Sequence, residues 1–134
     1  MLRFDYMHSD FHPVFLFLGE SRDLADLSAA LRDFAASPRP VDLGEVLPGS
    51  LARAALMLVP EDGKGGDYGL RREGDRFRWG LNAWQAEQIA GRIDLLVLAE
   101  NKSGSDIFEL GIPGEIPVKV SRGEFEDDFL VRKT

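Results

Sequence analysis

The chain has 134 residues and a mass of 14.9 kDa, about one domain's worth. With 44% hydrophobic and 29% charged residues, it is neither collagenous nor wholly disordered. At this size about two-thirds of the unfolded chain's surface can be buried without a staple. It has no cysteine, which excludes disulfides, thiolate chemistry, zinc ribbons and iron–sulfur clusters. A net charge of −7 opposes general binding to nucleic acid or anionic membrane.

Leu2, Phe4 and Tyr6 alternate with Arg3 and Asp5, the period of a strand. Val14–Leu18 is apolar at every position, the pattern of a strand covered on both faces. It is far shorter than a membrane span, and no basic region or small-residue cleavage pattern marks a signal peptide. The expected location is therefore cytoplasmic. Ser21 is the expected N-cap of a helix carrying Leu24, Leu27, Leu31, Phe34 and Ala35 on one stripe, stopped at Ser37-Pro38. A Pro- and Gly-rich connection follows, with a short extended piece at Val41–Leu43.

Ala54–Val59 reads as a second fully apolar strand. Glu61–Asp67, with three glycines and three acids, reads as a loop, and Tyr68–Arg72 with Arg76–Leu81 as a hairpin. Asn82 caps a second helix with Ala86, Ile89, Ala90, Ile93, Leu96 and Val97 on its stripe, running to about Ala99. Ile107–Leu110, Ile116–Ser121 and Phe129–Val131 are the remaining strands. No internal repeat is evident. These elements predict a single α+β domain over 1–134, a mostly antiparallel sheet of about five to seven strands with two main helices packed on it.

Charge is unevenly spread. Residues 1–50 hold 4 basic and 8 acidic groups, 51–99 hold 7 and 7, and 100–134 hold 5 and 8. The central basic groups concentrate on the hairpin. A two-residue Gly74-Asp75 turn of type II′ sets Glu73 opposite Arg76, Arg72 opposite Phe77, Arg71 opposite Arg78 and Leu70 opposite Trp79. Only this register collects the apolar side chains on one face. It also places two like charges side by side, at a cost of tenths of a kcal/mol. An anion, a partner's carboxylate or an acid of this chain such as Glu124, Glu126, Asp127 or Asp128 would offset that cost.

His8, Asp10 and His12 are metal-ligand types. In an extended strand, however, His8 and His12 lie roughly 13 Å apart, and no cysteine or third histidine completes a set. A structural lead-in to the following strand is the expected role, and no cofactor is expected. Gly63–Gly66 lacks phosphate-loop spacing, no serine sits in a nucleophile elbow, and no calcium-loop pattern occurs. Trp79 and Trp84 are expected to seal the junction between strand and helix.

Two functions follow as expectations. One is a small acidic protein-binding module of accessory, regulatory or immunity type, without evident catalytic machinery. Its partner would be a basic or mixed-charge protein, docked on Glu124, Phe125, Glu126, Asp127, Asp128 and Phe129. The other is an anion binder or small-molecule enzyme using Arg71, Arg78 and Trp79 with His12. A homodimer through a free sheet edge is compatible with either.

Overall fold

The computed structural model describes residues 2–8, 13–47, 49–62, 67–98 and 104–123. The fold is α+β. Strands β1 (Arg3–Met7) and β2 (Val14–Gly19) precede helix α1 (Ser21–Ala36). Then come β3 (Val41–Asp42), the single turn α2 (Leu43–Val46), β4 (Leu51–Ala52) and β5 (Ala55–Pro60). The hairpin β6 (Gly69–Glu73) and β7 (Arg76–Leu81) leads into α3 (Ala83–Val97), β8 (Gly104–Phe108) and β9 (Val118–Arg122).

The expected single sheet is in fact two, ordered β4-β1-β2-β9-β8 and β3-β5-β7-β6. The pairing is antiparallel in the majority, as expected, but not throughout. Of seven strand pairings among the described residues, β1·β4, β2·β9 and β5·β7 are parallel. The cause lies in the helices. Each long helix carries the chain away from the hairpin before it, so β5 and β9 pair with the other half's hairpin, while β4 returns to β1 of its own. Strands separated by a long helix are thereby brought together across the two halves.

These pairings define an internal duplication that the sequence reading missed. Hairpin, helix, and a second strand pair occur twice: β1β2–α1–β3β5, then β6β7–α3–β8β9. In each sheet the inner strand of one half's hairpin runs parallel to the last strand of the other half. Phe15 and Phe17 face Val118 and Val120, and Phe77 and Trp79 face Leu56 and Leu58. The exchange is reciprocal, so the operation relating the halves is an approximate two-fold. Over β2, α1 and β5, counterparts in β7, α3 and β9 differ by 62 in residue number, and several meet across it. Phe15 packs on Phe77 at 5.2 Å between ring centroids, Phe17 on Trp79 at 6.0 Å, and Ser28 Oγ donates to the Ala90 carbonyl, 62 positions away.

The inner stripes of α1 (Leu24, Leu27, Leu31, Phe34) and α3 (Ala86, Ile89, Ala90, Ile93) close one core with the inner sheet faces. A smaller cluster of Met7, Leu16 and Leu18, with Val14, lies apart from it, in accord with an apolar strand covered on both sides. Where α1 and α3 cross, Ser28 also donates to Asp94 at 2.7 Å and Arg32 pairs with Asp94 at 2.7 Å. Desolvation pushes the Asp94 carboxyl upward. The hydrogen bonds from Arg32 and Ser28, with the Arg32 charge, outweigh that push and hold it below its ordinary value.

Helix ends differ slightly from expectation. The N-cap of α1 is Glu20, not Ser21, because Asp23 reaches back three residues to the Glu20 N–H at 2.9 Å. In α3 the box is complete: Asn82 accepts from Gln85 N at 2.7 Å, and Gln85 accepts from Asn82 N at 2.9 Å. That helix ends at Val97, since Leu98 is already extended. Among the described residues no helix is long and apolar enough to cross a membrane.

Candidate functional site

The hairpin register agrees with the sequence reading: Arg71 faces Arg78, and Gly74, at φ 64°, supplies the turn. The acid that answers Arg78 is Glu61. The two form an ion pair whose side chains are only 21% and 12% exposed. Glu73 lies 3.8 Å from the same guanidinium, and the Asp67 carbonyl accepts from it at 3.1 Å.

Gly80 makes this contact fit. A Cβ there would lie 2.5 Å from the Asp67 carbonyl oxygen and 2.8 Å from Glu61 Cγ. Sequence reasoning missed Glu61 because it lies in a segment read as loop. The available signal was a glycine inside a strand, two residues from Arg78 on the same face. Arg71 is held more loosely, donating to the exposed Pro113 carbonyl at 3.1 Å. Trp79 points to the opposite face of β7 and is 2% exposed.

The other expected site residues are scattered or undescribed. His8 is exposed at the end of β1, with its ring 6.1 Å from Tyr6. Asp10, His12 and Glu124–Phe129 lie outside the described residues. No group of three or more potential metal ligands occurs among the described residues.

Besides a groove of about 240 Å³ on the hairpin at Glu73, Arg76 and Arg78, the structure presents two grooves that the sequence reading did not anticipate. The larger, about 390 Å³, runs between α1 and the segment from α2 to Ser50. Leu2, Ala30, Val41 and Leu47 form apolar wall, and Asp23, Asp26 and Asp33 line the α1 side. Asp23 is engaged with the Glu20 N–H, and Asp33 with Arg39 at 3.1 Å. Asp26 is exposed.

The second groove, about 270 Å³, lies along α3 beside residues 108–115. It is the two-fold counterpart of the first. Asp23 and Asp26 correspond to Gln85 and Gln88, so two carboxylates become two amides at the same places. Leu81, Ile89 and Phe108 form apolar wall. Trp84 stands at its edge 69% exposed, not sealing the junction as expected. The signal was positional: Trp84 falls off the 86–89–90–93 stripe of its helix.

The chain matches no protein-family model, no curated protein and no solved structure.

Proposed function

We propose that this chain is a protein-binding module whose α1 groove docks a basic segment of its partner. The observation that carries the reading is the pairing of an apolar wall with the exposed aspartates Asp26 and Asp33 in one groove of about 390 Å³. A lysine or arginine side chain suits such a surface, because its aliphatic stem covers apolar area while its charge meets carboxylate. The net charge of −7 would steer such a partner and make association fall with salt. The C-terminal acids Glu124, Glu126, Asp127 and Asp128, with Phe125 and Phe129, are proposed as a second determinant of the same kind. The anion-binding alternative on Arg71 and Arg78 is weaker, since Glu61 supplies the counter-charge to Arg78.

The test is titration of the full chain with an amphipathic lysine–leucine peptide at two salt concentrations. Replacing Asp26 and Asp33 together by Asn should weaken binding about fivefold, the scale of two exposed ion pairs, and flatten its salt dependence. Unchanged affinity and salt dependence in that variant would discard the groove. A parallel variant neutralising Glu126, Asp127 and Asp128 examines the C-terminal acids separately.

A further inference from the structure

The α3 groove carries chemistry of its own. We propose that it is a second docking site, separate from the α1 groove, and that its occupant is an arginine side chain of a partner polypeptide.

Charge, aromaticity and size lead there. Four charged side chains stand at this groove and its rim: Arg92, Asp106, Glu109 and Glu115. They sum to −2, and the only cation is already committed. Arg92 donates through Nε to Asp106 at 2.9 Å and through Nη2 to the same carboxylate, while its guanidinium covers the Phe108 ring at 4.6 Å. Glu115 is turned inward, accepting backbone N–H groups of its own loop. Glu109 is exposed at the rim, so among the described residues the groove offers an acid without a competing free cation.

Trp84 lines the same groove, an indole more than two-thirds exposed on the first turn of α3. An exposed indole near a carboxylate favours a cation that can stack, and guanidinium stacks on aromatic faces where ammonium is more strongly hydrated. The apolar wall of Leu81 and Ile89 suits the three methylenes of an arginine stem. At about 270 Å³ the groove is below the ~300–1,000 Å³ of drug-sized ligand sites, so it fits one inserted side chain better than a whole small molecule. Arg92 of α3 lying over Phe108 of β8 shows the same guanidinium-on-ring geometry at this groove.

The experiment is an NMR titration of the full chain with acetyl-Gly-Arg-Gly-amide, following the two tryptophan indole N–H resonances. The Trp84 resonance should shift saturably, and that of Trp79, which lines the same groove, should follow it with the same affinity. The lysine peptide should bind more weakly, and the leucine peptide should give no saturable shift. Trp84→Ala, read through the Trp79 resonance, should weaken binding about tenfold, the size of a stacked cation–ring contact with its apolar cover, and cooperative thermal unfolding shows the variant folded. Glu109→Gln should weaken it severalfold, whereas Asp26→Asn should leave the Trp84 response intact. No saturable shift, equal response to the leucine peptide, or indifference to Glu109→Gln overturns the proposal. Loss of the Trp84 response in Asp26→Asn would overturn the separateness of the two sites without touching the test of the α1 groove.

Discussion

A single carboxylate organises the loop that borders the α3 groove. Glu115 accepts the N–H of Leu110 at 2.8 Å, of Gly111 at 2.9 Å and of Ile112 at 3.2 Å. Its Cγ and Cδ lie 2.8 Å from where a Cβ on Gly69 would sit, and Gly69 is at φ 92°. The glycine is therefore fixed twice, by its backbone region and by the side chain that fills its space. Glu115→Ala would leave the three donors without their acceptor, at a cost of about 1–3 kcal/mol. Urea denaturation measures this, and a loss below about 0.5 kcal/mol would mean that water serves the loop equally well. None of this was legible in the sequence, where Gly69 opens a strand and Glu115 follows a Pro-Gly turn. A carboxylate serving N–H groups in its own loop leaves no pattern of spacing or hydrophobicity.

At the level of elements, alternation and turn chemistry were sufficient wherever the contacts are local. The β6–β7 register follows from Gly74-Asp75 and from the need to bury Leu70, Phe77 and Trp79 together. The stripes of α1 and α3 follow from their 3.6-residue period. The answer to the Arg71–Arg78 clash was not local: it depends on β5 lying parallel beside β7, which brings Glu61 next to Leu81. The two arginines should therefore behave differently. Arg78→Ala strands a largely buried carboxylate and should cost about 2 kcal/mol, less than for a fully buried pair. Arg71→Ala removes a like charge and one exposed carbonyl contact, and should stay within about 0.5 kcal/mol of the parent. Thermal denaturation of both variants, with Glu61→Gln completing a double-mutant cycle, measures the difference. Equal effects of the two substitutions would refute the assignment of Glu61.

The whole molecule is two interlocked halves, and that is where the sequence was least readable. No residue of α1 is identical to its counterpart 62 positions on; Leu24, Leu27 and Leu31 correspond to Ala86, Ile89 and Ile93. What persists is the spacing of apolar positions, which any amphipathic helix shares, so the repeat is invisible until strand pairing displays it. The two-fold also explains why the grooves are matched in place, while the exchange of Asp23 and Asp26 for Gln85 and Gln88 makes them unlike in charge. It makes a further demand. Each sheet takes its central parallel pairing from both halves, β2 with β9 and β5 with β7, so neither half can close a core alone. Fragments 1–62 and 67–134, prepared separately, should each lack cooperative unfolding, because Phe15, Phe17, Phe77 and Trp79 lose their counterparts. Mixed in equal amounts, they should recover the fluorescence of buried Trp79 and unfold at a temperature that rises with concentration, as mass action requires of a bimolecular fold. Cooperative unfolding of either fragment as a monomer would show that the halves are independent units.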